Sequence, residues 1–152
     1  MQNITKIKRK IRRMTRKKTL VMLVDAQTFN LDMFHEKIAS FRKVINDLGR
    51  LIAIKIFFEG NIEEEKIKKV IMNGCVPIIV PSDVDIHMAL EAAEYSFNKK
   101  IASIIFGTSN INMIPVLVSV KENGKKVILL KDDTENNTLE NLADLTIDLR
   151  SI

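Results

Sequence analysis

Residues 19–25 read TLVMLVD, a wholly apolar run between a threonine and an aspartate. An apolar run of this length predicts a strand that is buried on both faces of a sheet. Similar runs predict further strands over residues 51–58, 76–80, 101–106, 126–130 and 145–149. Strands that alternate with helical patterns at this spacing predict a mainly parallel sheet with helices on both faces. The fold is therefore predicted to be α/β, with three layers around a central sheet of five to six strands.

Two of the predicted helices carry clear apolar stripes. The first covers residues 31–47 and is closed by Gly49. Its stripe consists of Phe34, Ile38, Phe41, Ile45 and Leu48. Another helix begins at Ser82 or Asp83 and runs to about Phe97. The stripe of that helix consists of Ile86, Leu90, Ala93 and Phe97, and its opposite side carries His87, Glu91 and Glu94.

The remaining helices are shorter. A charged helix ends at Asn73, and another runs to about Lys121 with Pro115 in its first turn, where a missing N–H costs nothing. A further short helix is predicted near residues 139–143. The single cysteine, Cys75, can form no internal disulfide and is predicted to be a small core residue.

Charge divides the chain into a basic N-terminal tail or helix, residues 1–18, and one domain, residues 19–152. Of the 24 Lys and Arg residues, nine lie in the tail, which leaves 15 in the domain against all 19 Asp and Glu. So uneven a distribution indicates a polyanion as partner, and nucleic acid is the commonest. The predicted nucleic-acid-binding residues are Lys8, Arg9, Lys10, Arg12, Arg13, Arg16, Lys17 and Lys18.

The tail also contains apolar residues at helical spacing. Ile4, Ile7, Ile11 and Met14 would lie on one side of a helix. Such a helix could lie on its own domain, on a second subunit in a homodimer or on an anionic membrane surface, and the alternative is a solvated terminus. Apolar runs elsewhere are too short for a membrane span, and the N-terminus lacks the features of a secretory signal. The expected location is the cytoplasm.

Polar residues follow four of the predicted strands. They are Asp25, Glu59, Asp83, Asp85, Asn110 and Asn112. In a parallel α/β fold the carboxyl ends of the strands meet at one edge, where ligands bind. Oxygen ligands suit Mg²⁺ or Mn²⁺, which can activate water against a phosphate. The loop after the first strand has no glycine, so a dinucleotide site is not indicated.

Four segments in this order resemble the successive motifs of NYN domains, a branch of the PIN-like nuclease superfamily, and the archaeal members most closely. They read VDAQT at residues 24–28, SDVDI running into ALE at residues 82–91, TSNINMIP at residues 108–115 and ENGKKV at residues 122–127. The resemblance covers about residues 19–150 and implies a PIN-like, Rossmann-like fold with metal-dependent RNA cleavage.

Carried over by position, the resemblance implies site roles for five residues. Asp25 and Asp85 match metal-site acids, and Glu91 stands where a further acid is common, so these three form the implied metal set. Asn110 and Asn112 stand where the family has two aspartates; together with Asp25 and Asp85 they form the implied catalytic set. Thr28 also replaces a usual asparagine. The loss of two negative charges predicts weak Mg²⁺ or Mn²⁺ binding, and no other cofactor is expected.

Several of these residues also have structural interpretations. Asp83 is expected to cap a helix, and Asp85 is either a first-turn dipole partner or a ligand. Asn110 and Asn112 could be caps as well. His87 and Glu91, four apart on one helix face, could form a solvated hydrogen bond, a metal pair or a general base. His35 has no acidic motif around it and is expected at the surface.

Three hypotheses for function follow from these observations. The first is a degenerate nuclease that binds RNA through its basic tail without cutting it. The second is a weak metal-dependent endoribonuclease that uses the residual carboxylates. The third is a protein-interaction module that uses the amphipathic N-terminus.

Overall fold

The computed structural model describes residue 5, residues 18–135 and residues 137–152. Six strands lie in this part of the chain: β1 (Thr19–Asp25), β2 (Arg50–Glu59), β3 (Val76–Val80), β4 (Ser103–Gly107), β5 (Lys126–Lys131) and β6 (Leu145–Asp148). The α-helices among the described residues are α1 (Leu31–Leu48), α2 (Glu64–Met72), α3 (Val84–Ser96), α4 (Ile114–Glu122) and α5 (Asn137–Leu142). Short 3₁₀ helices cover Ile111–Met113 and Leu149–Ser151.

The strands form one sheet in the order β3-β2-β1-β4-β5-β6, and every neighbouring pair is parallel. β1 lies between β2 and β4, so the chain builds outward from β1 in one direction and then in the other. The point where the order reverses is therefore the carboxyl end of β1, next to β4. The predicted α/β fold with a parallel central sheet is confirmed.

Two apolar cores lie on opposite faces of this sheet. β1 supplies both, because alternate residues of a strand point to opposite faces. Leu20, Met22 and Val24 pack on the side of α1 and α2. Val21 and Leu23 pack on the side of α3, α4 and α5. The result is a three-layer arrangement, with Cys75 buried in the first core as predicted.

Both ends of α1 are determined by short polar or small residues. The Asn30 side chain accepts a hydrogen bond from the Met33 N–H at 3.1 Å, which satisfies a free donor of the first turn. At the other end, a Cβ on Gly49 would lie 2.3 Å from the carbonyl oxygen of Lys18. Only glycine fits there, and this close approach lets β2 begin directly beside β1.

The predicted apolar stripe of α3 is not the face that this helix buries. α3 packs on the sheet through Val84, Met88 and Ala92. Ile86, Leu90, Ala93 and Phe97 are exposed instead. Both sides of α3 contain apolar residues, so the periodicity of the sequence left the choice to tertiary packing. None of the described helices is both long enough and apolar enough to cross a lipid bilayer.

Candidate functional site

Asp25 is the last residue of β1 and lies at the point where the strand order reverses. Its side chain is buried, with 2 % of its surface exposed. Oδ1 accepts a hydrogen bond from the Gln27 N–H at 2.9 Å. Oδ2 accepts from the hydroxyls of Thr28 at 3.0 Å and of Thr108 at 3.5 Å. Both carboxylate oxygens are therefore held by donors from the chain itself.

The two threonines connect the loop after β1 with the loop after β4. Their Oγ1 atoms lie 3.2 Å apart. The Thr28 oxygen accepts from the Ser109 N–H at 3.1 Å, and the Thr108 oxygen accepts from the Asn110 N–H at 3.1 Å. This network of Asp25, Thr28 and Thr108 lies at the sheet edge where an acidic site was predicted. Thr108 was not among the predicted site residues, although a polar residue directly after an apolar strand was a signal.

Asn110 and Asn112 follow this network. The Asn110 side-chain oxygen accepts a hydrogen bond from the Asn112 N–H at 2.9 Å and begins the 3₁₀ helix Ile111–Met113. Asn112 itself is exposed. Asn110 could have been a site residue or a helix cap, and in the structure it caps the 3₁₀ helix.

Asp83 and Asp85 lie at the start of α3. Asp83 has a φ of 57°, in the left-handed region, and its carbonyl accepts from the N–H groups of Ile86 and His87. Its side chain makes no cap hydrogen bond to the helix, so Asp83 holds the cap position through its backbone alone. Asp85 is half-buried, and its Oδ1 accepts from the Ile86 N–H at 3.0 Å.

Glu91 forms an ion pair with Lys55 of β2, at 3.0 Å between Oε2 and Nζ. The Lys55 ammonium also lies over the Tyr95 ring, 5.0 Å from its centroid. Burial by itself lowers the pKa of Lys55. The contacts with Tyr95 and Glu91 together raise the pKa by more than burial lowers it, so the net shift is upward. Glu91 thus anchors α3 to the sheet. The signal for this pair was a single lysine inside the apolar run of residues 51–58.

The three implied metal ligands do not meet. Among residues 18–135 and 137–152, no three His, Cys, Asp or Glu side chains lie close enough together to hold a metal ion. Asp25 is engaged with threonines and Glu91 with Lys55, and Asp85 is half-buried with Oδ1 bonded to the Ile86 N–H. The side chains present at this edge do not fit a Mg²⁺ or Mn²⁺ site of the kind that the resemblance implies.

A separate cleft of about 490 Å³ lies on the other side of β1, between the start of α1 and α2. Its charged and ionisable lining residues are Asp32, His35, Glu59, Lys66 and Lys69. His35 was expected at the surface, but it is buried, with 8 % exposed. Neither of its ring nitrogens has a hydrogen-bond partner among the described residues. Burial lowers the pKa of His35, Lys69 lowers it further and Asp32 opposes the shift.

The predicted nucleic-acid-binding residues Lys8, Arg9, Lys10, Arg12, Arg13, Arg16 and Lys17 lie outside the described residues. Lys18 is described and exposed, and its carbonyl accepts from the Arg50 N–H at 2.7 Å. The basic segment therefore joins the domain at the amino-terminal edge of the sheet, opposite the edge that carries Asp25.

The NYN domain family model matches residues 19–150. The chain belongs to the NYN domain family. An uncharacterised protein of Methanocaldococcus jannaschii is 29 % identical to it over 144 residues, which cover 94 % of this chain and 60 % of that protein. This NYN domain protein thus spans about 60 % of the length of that relative.

Likeness to solved structures is more distant. A levoglucosan dehydrogenase in its apo form superposes on the NYN domain with a TM-score of 0.41 and 11 % identity, over 75 % of this chain and 27 % of that one. An NAD-binding protein of Listeria innocua has a TM-score of 0.38 and 16 % identity, over 87 % and 35 %. Neither bears on function. Family membership makes the described domain a nuclease-like domain.

Proposed function

We propose that this NYN domain protein binds RNA and holds it without cutting it. The observation that carries the proposal is the engagement of Asp25, whose two carboxylate oxygens accept hydrogen bonds from one N–H and two threonine hydroxyls. A carboxylate that accepts three hydrogen bonds from the chain would have to rearrange part of this network to bind a cation. That rearrangement weakens any metal site at this position.

The charges around Asp25 support the same conclusion. Asn110 and Asn112 carry no charge, and Glu91 is neutralised by Lys55. An opposite charge about 4 Å away contributes roughly 4 kcal/mol near a protein surface, before desolvation. Two missing aspartates therefore reduce cation affinity by orders of magnitude, and metal-dependent cleavage with it.

Binding is supported by the basic segment. Nine of the 24 Lys and Arg residues lie within residues 1–18, where there is no Asp or Glu. Lys and Arg recognise the phosphate backbone and release counterions from it. The chain has seven Phe, one Tyr and no Trp, too few aromatics to suggest a platform for stacked bases. RNA is therefore expected to be bound through its backbone.

Fluorescence anisotropy with single-stranded and hairpin RNA tests the binding. The affinity of the full-length protein should fall steeply between about 50 and 200 mM salt. Replacement of Lys8, Arg9 and Lys10 by Glu should weaken binding to both RNAs. Lys99→Glu with Lys100→Glu, which changes two exposed lysines of the domain, is the control. RNA binding that is absent, or whose affinity does not depend on salt, would contradict the proposal.

A cleavage assay with labelled RNA and either Mg²⁺ or Mn²⁺ tests the proposal that the protein does not cut RNA. No metal-dependent cleavage is expected of the natural sequence. Calorimetry should detect tighter Mn²⁺ binding in Asn110→Asp with Asn112→Asp. The same two charges placed at the opposite edge of the sheet, Asn98→Asp with Asn123→Asp, should bind no tighter. Cleavage by the natural sequence that requires the metal and is lost in Asp25→Asn would establish a weak endoribonuclease instead.

A further inference from the structure

The outer face of α3 is an apolar surface that no described residue covers. Ile86, Leu90 and Phe97 are 56 %, 64 % and 75 % exposed. Together with Ala93 they recur at spacings of four, three and four residues, so they lie on one side of the helix. Single exposed apolar residues are common, but a contiguous apolar row marks an interaction surface.

A shallow groove borders this row on the side of α4. It has a volume of about 210 Å³ and is lined mainly by small residues. They are Ala89, Ala93, Pro115, Val116 and Ser119 of the two helices, with Val120 at its base. Small side chains leave room for the ridge of another helix to pack between α3 and α4. The shape of the surface therefore suits a helical occupant.

The charge of α3 restricts what the occupant can be. Val84–Ser96 contains Asp85, Glu91 and Glu94 and no Lys or Arg. Glu94 is exposed and lies one residue from Ala93 of the apolar row. Glu91 is paired with Lys55, but a second copy of α3 would bring another Glu94 against this one. A suitable occupant combines an apolar stripe with positive charge.

The N-terminal segment of the chain, residues 1–17, combines both in its sequence. Ile4, Ile7, Ile11 and Met14 recur at helical spacing among Lys and Arg. At 1.5 Å per residue, a helical stripe from Ile4 to Met14 would be about 15 Å long, and the row from Ile86 to Phe97 is about 16 Å long. The two apolar rows therefore match in length, and the basic segment is opposite in sign to Glu94 beside the row on α3.

The segment also joins the domain close to this surface. The Ala102 N–H donates to the Thr19 carbonyl at 2.8 Å, so the start of β1 lies beside the start of β4. Phe97 precedes Ala102 by five residues, so the two residues lie at most about 18 Å apart. Residues 1–17 therefore leave the domain within reach of the Phe97 end of the apolar row.

We propose that the outer face of α3 is the docking surface for the chain's own N-terminal segment, which packs Ile4, Ile7, Ile11 and Met14 against Ile86, Leu90 and Phe97. The docked segment would turn its Lys and Arg residues outward. The inference goes beyond RNA binding, since the docking requires no RNA, and it can hold or fail independently of it.

Limited trypsin digestion of the full-length protein without RNA tests the docking. Trypsin cleaves after Lys and Arg, and cleavage of a packed segment follows the population of its undocked form. Leu90→Glu with Phe97→Glu should raise the rate at which residues 1–17 are lost by about tenfold or more, and Ile7→Glu with Ile11→Glu should do the same. Met72→Glu changes an 85 % exposed residue of α2 on the opposite face and should leave the rate unchanged.

A disulfide test complements the digestion. Met14→Cys with Phe97→Cys should cross-link within one chain on mild oxidation, and Met14→Cys with Met72→Cys should not. Equal digestion rates in the natural sequence and in Leu90→Glu with Phe97→Glu would overturn the proposal. So would a dimeric mass by light scattering that Leu90→Glu with Phe97→Glu converts to a monomer, since a second copy would then cover the surface.

Discussion

Asp25 stands at a position suited to ligand binding, but its side chain makes structural hydrogen bonds. The carboxylate stands at the edge of the sheet where ligands bind in parallel α/β folds. Thr28 and Thr108 approach it from two loops and supply hydroxyl donors. Hydrogen bonds to a charged acceptor are stronger than neutral ones, so the network stabilises the junction between these loops. At this residue, each carboxylate oxygen already accepts at least one hydrogen bond from the chain.

Asp25→Asn should lower the free energy of unfolding by about 1–3 kcal/mol, because an amide offers one acceptor oxygen where three donors converge. Urea unfolding monitored by circular dichroism measures the change. Asp47→Asn, which alters an exposed residue of α1 in the same way, should stay within about 0.5 kcal/mol of the natural sequence. A higher free energy of unfolding in Asp25→Asn would show that the carboxylate destabilises the fold, as a metal ligand without its ion would. It would contradict a structural role for Asp25.

His35 predicts a dependence of stability on pH. Burial lowers its pKa below the ordinary value of a histidine, about 6.5, so as the pH falls below about 6.5 the unfolded chain takes up a proton that the folded chain resists. The free energy of unfolding should therefore fall as the pH is lowered from about 7.5 to about 5.5. Urea unfolding at several pH values measures this slope.

His35→Leu should remove this part of the slope. At about pH 7.5 the variant should also raise the free energy of unfolding by about 1 kcal/mol, since it replaces two unpartnered nitrogens with apolar surface. His87→Gln changes a half-exposed histidine of α3 and should preserve the slope. A slope that persists in His35→Leu would assign the pH dependence to other groups.

α3 is the element on which both the candidate site and the interaction surface depend. Its start carries Asp85, its middle is tied to β2 through Glu91, and its outer row is apolar. Val84, Met88 and Ala92 pack on the sheet, which leaves Leu90 and Phe97 exposed to solvent. The same helix therefore carries one residue of the candidate site, Asp85, and the uncovered apolar row.

The pair of Lys55 and Glu91 should show measurable coupling. Its side chains are 24 % and 27 % exposed, and the lysine also contacts Tyr95. A double-mutant cycle with Lys55→Met and Glu91→Gln should give a coupling of about 1 kcal/mol in urea unfolding. The control pair is Lys68 and Glu64, at 3.5 Å but 58 % and 83 % exposed, and its coupling should be close to zero. Equal coupling in the two pairs would contradict an anchoring role for Glu91.

At the scale of the whole molecule, the N-terminal segment and the domain carry opposite net charges. Residues 1–18 carry nine basic residues, and the domain carries an excess of acidic ones. Both apolar cores lie within the described residues of the domain. The domain thus holds both described cores, and the sequence of the segment adds positive charge and apolar residues at helical spacing.

Removal of residues 1–17 should leave a domain that unfolds cooperatively, because both described apolar cores remain. The truncated protein should bind an apolar fluorescent dye more strongly than the full-length protein, since the row on α3 would be uncovered. Thermal unfolding and dye fluorescence measure the two effects. Leu90→Glu with Phe97→Glu in the truncated protein should lower the fluorescence by more than Met72→Glu does. A truncated protein without a cooperative transition would show that the boundary of the domain is wrong.

The sequence by itself determined the order of the elements and most of their bounds. The strand predicted over residues 76–80 is observed at Val76–Val80, and the helix predicted over residues 31–47 is observed at Leu31–Leu48. Apolar run length and a glycine that ends a helix, such as Gly49, act over a few residues, so they can be recognised along the chain. The four motifs that resemble the NYN family were also present in the linear sequence, and the match over residues 19–150 confirmed the resemblance.

Tertiary structure alone decided which face of α3 is buried, where His35 lies and what Asp25 contacts. Both sides of α3 are apolar, so the sheet beneath it, and not its own periodicity, selected Val84, Met88 and Ala92 for the core. Thr108 is 83 residues from Asp25 along the chain, and no local pattern announces their contact. Contacts between distant residues depend on how strands pair and helices pack, and here they determined the chemistry of the sheet edge.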